Sequence, residues 1–135
     1  MSRDKKHEKR VISTPEAPAA IGPYSQAVEV GCFVFLSGQI PLDPATGELV
    51  SGGIKDETRR VMENLKAVLA AAGLTFADVV KTTIYVTDIG DFAAVNEVYG
   101  SYFKEEPPVR ATVQVAALPK GARVEIDAVA LRGGK

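Results

Sequence analysis

The sequence predicts an α+β fold in two layers, with two helices lying on one face of a mixed β-sheet. Two stretches, Ile54 to Ala72 and Phe92 to Phe103, repeat apolar residues at three- and four-residue steps, which gives each helix one buried stripe. Val79 to Val86, Pro107 to Val115 and Arg123 to Leu131 alternate apolar and polar positions over much of their length and read as strands.

The composition narrows the chemistry. A chain of 135 residues suits one domain, here residues 10–132, preceded by a disordered polar tail over residues 1–9. No apolar run approaches the ~18 residues of a membrane span. Sixteen basic against seventeen acidic residues leave no basic field for phosphate backbones, which argues against a dedicated nucleic-acid binder. The one histidine, His7, lies in the tail, and the one cysteine, Cys32, reads as a small buried hydrophobe. A Ser-His-Asp or Cys-His relay and a Cys/His metal site therefore lack their parts. Carboxylates, hydroxyls, arginine and backbone must carry any chemistry. The tail resembles no secretory signal, and the cytoplasm is the expected address.

Along the chain, Arg10 to Ser13 reads as a short strand. Thr14 to Tyr24 reads as an irregular crossing, because Pro15, Pro18 and Pro23 forbid a continuous helix. Gln26 to Val30 and Phe33 to Leu36 form a hairpin about Gly31-Cys32, and the nearly unbroken apolar run of the second strand places it centrally. At its end Ser37 offers a hydroxyl, and Gly38 permits close backbone approach. Asp43 to Gly47 is a surface turn, and Gly52-Gly53 leads into the first helix, which Gly73 closes in left-handed conformation. In the strand Val79 to Val86, Val80, Ile84 and Val86 point inward. Asp91 caps the second helix, whose stripe is Phe92, Val95, Tyr99 and Phe103. Asn96 lies off that stripe, either simply exposed or holding a loop or ligand.

Pro107-Pro108 delivers a stiffened chain to a strand in which Ala111, Val113 and Val115 share one face and Arg110, Thr112 and Gln114 the other. A guanidinium is thus presented on rigid backbone, suited to two-point recognition of a carboxylate or to an ion pair. In the last strand, Val124, Ile126, Ala128 and Ala130 face one way and Arg123, Glu125, Asp127 and Val129 the other. A hairpin across Ala117 to Gly121 would bring the polar faces together, clustering Arg110, Thr112 and Glu125 on the sheet face away from the helices. That face, carrying Val79, Tyr85, Val129 and Leu131, is too apolar for solvent, and a second subunit is expected to cover it.

The stretches Ile21-Gly22-Pro23-Tyr24-Ser25-Gln26, Ser37-Gly38-Gln39-Ile40-Pro41, Glu63-Asn64-Leu65-Lys66, Ala72-Gly73-Leu74, Val80-Lys81-Thr82-Thr83, Phe92-Ala93-Ala94-Val95-Asn96, Pro108-Val109-Arg110-Ala111 and Val124-Glu125-Ile126-Asp127-Ala128 closely resemble the RidA (reactive intermediate/imine deaminase A) family, in order and spacing, from about Pro15 to Leu131. The resemblance implies a chorismate-mutase-like fold assembled as a homotrimer with clefts between subunits. It also implies hydrolysis of 2-aminoacrylate and related enamines or imines to 2-oxo acids and ammonia, without metal or cofactor. By matching positions, Arg110 would bind the substrate carboxylate, Glu125 would position or activate water, and Tyr24, Ser37, Gly38 and Asn96 would line the cleft. Many members carry cysteine two residues after the arginine, where this chain has Thr112. Backbone contacts there survive, and thiol-dependent properties do not carry over.

The competing readings are a non-catalytic trimer that senses 2-oxo acids through the same Arg110 cleft and, more weakly, a ribonuclease or translation inhibitor. Turnover separates the first from a deaminase, and steep salt dependence of RNA binding would favour the second.

Overall fold

A computed structural model describes residues 8–133. Six strands, β1 (Arg10–Ile12), β2 (Ala27–Val30), β3 (Phe33–Gln39), β4 (Val79–Val86), β5 (Val109–Gln114) and β6 (Val124–Leu131), form one sheet in the order β1-β2-β3-β6-β4-β5. All neighbours are antiparallel except β4 and β5, which run parallel. Helices α1 (Ile54–Ala71) and α2 (Phe92–Gly100) pack on one face, giving the expected two-layer α+β architecture. All of the expected tail except Glu8 and Lys9 lies outside the described residues. No described helix is long and apolar enough to cross a membrane.

The core forms where the α1 stripe meets the sheet. Val61, Met62, Leu65, Val68 and Leu69 pack with Val34, Leu36, Ile84, Ile126 and Ala130, all buried. Each fully buried large aliphatic side chain here contributes about 1.5–3 kcal/mol relative to exposure. Gly73 ends α1 at φ 77°, so the Leu74 amide reaches Leu69 O at 2.8 Å and the Gly73 amide reaches Ala70 O at 2.9 Å. These two bonds satisfy carbonyls that the helix end would otherwise leave open. Beside it, Arg132 donates to both carboxylate oxygens of buried Glu29 (2.8 and 2.9 Å) and to Ala72 O (2.8 Å), tying β6, β2 and the end of α1 together. The Arg132 hydrogen bonds hold the Glu29 carboxyl below its ordinary pKa, against the opposing effect of burial.

Several expectations are corrected. The chain does not form a β5–β6 hairpin, because β4 lies between those strands and pairs with both. The parallel β4–α2–β5 unit is a crossover connection, the one way a short helix can return the chain beside a parallel neighbour. Val80 is 39% exposed, whereas Val79 is buried. A register shift between Val79 and Lys81 exchanges their faces, and Val79 therefore leaves the helix-free face to which alternation assigned it. Cys32 is exposed in the β2–β3 turn rather than buried. α2 ends at Gly100, short of Phe103, and Asp91 precedes it without a side-chain capping bond. Asp88 instead accepts from the Gly90 amide at 2.8 Å and starts the 3₁₀ turn that leads into α2.

The helix-free face is more apolar than expected. Phe33 and Phe35 stand on it at 44% and 45% exposure, and the β5 residues Val109 and Val113 are exposed beside Tyr85. The long apolar run of β3 thus serves two faces, since Val34 and Leu36 enter the core while the phenylalanines point outward.

Candidate active site

One group of site residues gathers around Arg110. In parallel β5, Arg110 pairs with Thr82 and Thr112 with Ile84, and both partners are buried under the helices. Arg110 therefore projects to the helix side of the sheet, over α2. Its Cζ lies 5.2 Å from the ring centroids of both Phe92 and Tyr99, and Nη1 donates to Asn96 Oδ1 at 2.6 Å. Residues 92, 96 and 99 are four and three apart, so a single helix face presents two aromatic surfaces and an acceptor to one guanidinium. Asn96 thus holds a side chain rather than simply facing solvent. Thr112 Oγ1 is buried with no hydrogen-bond partner among the described residues.

A second group surrounds Glu125. Buried Gln26, at the head of β2, accepts from the Thr14 amide (2.7 Å) and donates to Thr14 O and Pro18 O (3.1 and 2.8 Å). One amide side chain thereby fixes the proline-rich crossing that leads to Tyr24. Ser37 Oγ donates to Ser25 O at 2.6 Å, and the Ser37 amide to Gln26 O at 3.0 Å, joining that turn to the end of β3. Buried Asn64 of α1 donates to Ile40 O and Leu42 O, fixing the chain just after Gly38. The result is a groove of about 380 Å³ lined by Ile21, Tyr24, Ser37, Gly38, Ile40 and Glu125 among others. Tyr24 is half exposed at its mouth.

Glu125 lies so close to Gly38 that a Cβ at Gly38 would stand 2.8 Å from Glu125 Cδ and 3.0 Å from Cγ. Glycine is required there for close approach. Burial, and secondarily the charge of Asp127, push the Glu125 pKa up, and no hydrogen bond among the described residues offsets them. Asp127 itself accepts from Tyr85 Oη at 3.1 Å. A carboxylate so placed is a competent base and, once protonated, a competent acid. Among the described residues no three His, Cys, Asp or Glu side chains gather as a metal-binding set.

The two groups do not meet within one chain. Glu125 pairs with Tyr85, which faces away from the helices, whereas Arg110 and Thr112 pair with residues that face toward them. The expected Arg110–Thr112–Glu125 cluster on the helix-free face is thus divided between opposite faces of the sheet. Gln26 and Asn64 were missed as site-builders, although each sits in one of the quoted motifs. Their signal was an amide side chain at a position the fold buries, 4% exposed at Gln26 and fully buried at Asn64.

A family model described as Endoribonuclease L-PSP matches residues 14–132. The structure superposes on RidA from a Psychrobacter species with TM-score 0.87 and 50% identity, over 90% of this chain and 98% of that one. The chain belongs to the RidA family. Among RidA-family relatives, the human 2-iminobutanoate/2-iminopropanoate deaminase is 56% identical over 93% of this chain and 91% of its own length. Escherichia coli TdcF, solved with bound serine, superposes with TM-score 0.88 and 48% identity, over 92% of this chain and 99% of that one.

Proposed function

We propose that this protein hydrolyses small 2-imino acids and their enamine tautomers to 2-oxo acids and ammonia, as a homotrimer of single-domain subunits (residues 10–132). In this reading each cleft joins Arg110, Asn96 and Thr112 of one subunit to Tyr24, Ser37, Gly38 and Glu125 of the next. The observation that carries the shared cleft is the division of these residues between opposite sheet faces. The apolar helix-free face supports assembly, since Phe33, Phe35, Val109 and Val113 are otherwise left to solvent. The human relative's name supports the reaction.

Arg110 takes the substrate carboxylate in its planar fork, which places the adjacent imine carbon. Glu125 removes a proton from water as its oxygen bonds to that carbon, the C=N electron pair moves to nitrogen, and Glu125 returns that proton to the nitrogen. The resulting carbinolamine collapses when its hydroxyl proton passes through Glu125 to the amine nitrogen, the C=O bond forms and the C–N bond breaks, so that ammonia departs and the 2-oxo acid is left. One water is consumed, with no change of oxidation state. The raised Glu125 pKa suits both directions of transfer, and no covalent nucleophile is needed. Such intermediates are released by pyridoxal-phosphate enzymes, and the proposed setting is the cytoplasm.

The test is oxo-acid and ammonia release from enzymatically generated 2-aminoacrylate. Acceleration above spontaneous hydrolysis is expected, whereas 2-oxobutanoate binding without acceleration would favour the sensor reading. Cleft sharing is tested by mixing Arg110→Lys and Glu125→Gln chains after dissociation and reassembly. If the two residues come from different subunits, random mixing restores about a quarter of the sites. Mixtures no more active than the separate variants, despite confirmed exchange, would place both residues in one subunit's site.

A further inference from the structure

The guanidinium of Arg110 lies against Phe92, Asn96 and Tyr99 of α2, and Tyr99 makes a buried contact that no substrate would touch. Thr82 of β4, the register partner of Arg110, brings Oγ1 to 2.6 Å from Tyr99 Oη. Thr82 is 1% exposed and Tyr99 4%, so neither hydroxyl has water as an alternative partner. The Tyr99 ring also packs on Phe103, with centroids 4.8 Å apart. Thr82 thus fixes, from the neighbouring strand, the tilt of the ring on which the guanidinium rests. α2 has nine residues, and Asp91 gives its first turn no side-chain cap, so the contacts of its buried face weigh heavily in setting its rotation. A roll of the helix would carry Phe92, Asn96 and Tyr99 away from Arg110 together, because they share one face.

We propose that Thr82 and Tyr99 are positioning residues for Arg110: their buried hydroxyl pair locks the α2 face that sets the plane of the guanidinium. This rests on the reading of Arg110 as the carboxylate clamp. Its physical core, the ordering of one arginine side chain, is measurable without turnover.

The experiment compares Thr82→Val, which keeps shape and loses the hydroxyl, with Thr82→Ser, which keeps the hydroxyl, in the full chain. The first readout is the Arg110 Nε–Hε signal in a nitrogen-15 NMR spectrum, assigned by its disappearance in Arg110→Lys. It should be sharp and slowly exchanging in the wild type, broadened or shifted toward free arginine in Thr82→Val, and restored in Thr82→Ser. The second readout is binding of 2-oxobutanoate by calorimetry, expected to weaken about tenfold in Thr82→Val and to recover in Thr82→Ser, as when a charge-assisted hydrogen bond loses its geometry. Should Thr82→Val not fold, Tyr99→Phe removes the same bond from the other side while keeping the ring. An unchanged Arg110 signal in a folded Thr82→Val or Tyr99→Phe protein overturns the proposal, as does an equal change in the Val and Ser variants. A wild type that neither binds 2-oxobutanoate nor turns over imine would defeat the clamp reading instead, while the NMR signal would still decide the positioning.

Discussion

Gly38→Ala probes the placement of Glu125 without touching its chemistry. The added Cβ would enter the contact shell of Glu125 Oε2 and stand 2.8 Å from Cδ and 3.0 Å from Cγ. Gly38 has a negative or extended φ, so the substitution carries no left-handed backbone strain. The carboxyl is the free end of a side chain, and the easiest relief is for it to swing away into the groove. A displacement of roughly 1 Å is enough to cost about 100-fold in rate, or about 2.7 kcal/mol in the barrier, when the displaced group positions or activates the attacking water. Turnover of enzymatically generated 2-aminoacrylate should fall by that order with little change in melting temperature. The same substitution added to Glu125→Gln should cost much less, because the group it displaces no longer transfers a proton. A folded Gly38→Ala protein with wild-type turnover would refute the argument, and so would full additivity in the double variant.

Three other perturbations address separate parts of the structure. Arg110→Lys keeps the charge but loses the planar fork between the two rings, so kcat/KM for the imine should drop about tenfold to a hundredfold, with near-normal values rejecting two-point recognition. Glu125→Gln should abolish most turnover yet raise the melting temperature at neutral pH. A carboxyl whose folded pKa is raised loses stabilisation as pH rises through the window from its unfolded to its folded value, so the gain over wild type should fade below that window. Melting curves measured from acid to neutral pH would expose a gain of the opposite sign. Glu29 behaves in the reverse sense, since its folded pKa is lowered: its contribution is present above the unfolded value and lost as pH falls through the folded one. Glu29→Gln should therefore be less stable than wild type at neutral pH and converge with it in acid, and persistence of the full difference in acid would remove the Arg132 ion pair as its source.

Local elements were legible in the sequence because local physics sets them. β4 runs from Val79 to Val86 as its alternation indicated, and Gly73 adopts the left-handed conformation that the end of the α1 stripe required. What periodicity could not reveal was partnership. β5 and β6 are consecutive strands joined by a short connection, which favours a hairpin, but Pro119 and the positive φ of Lys120 belong to a turn that takes the chain past β4. The site suffered most from this. Alternation correctly separated Arg110 and Thr112 from Ala111 and Val113, but it assigned the apolar side to the core. In this edge strand nearly every residue is exposed, so burial does not mark the core side. The register shows the inversion: Arg110 and Thr112 pair with buried Thr82 and Ile84, whereas Val109, Ala111 and Val113 pair with Lys81, Thr83 and Tyr85 on the helix-free face.

That inversion bears on what one subunit can do. Thr82 and Tyr85, the β4 partners of Arg110 and Glu125, are an odd number of residues apart, so their side chains must point to opposite faces. No rotamer change carries a guanidinium through a hydrogen-bonded sheet. A slip of β5 by one residue would move Arg110 across, but it would also turn Val109, Ala111 and Val113 under α2 and break the Gln114 acceptor bond to the Ile89 amide. The register that fixes the fold therefore keeps the two functional groups apart within a chain. If both serve one substrate, a second copy must supply one of them, and the apolar faces of β3 and β5 give that copy a surface to bury. On this reading specific activity should decline on dilution through the subunit dissociation range, as active clefts are lost along with the interfaces that form them.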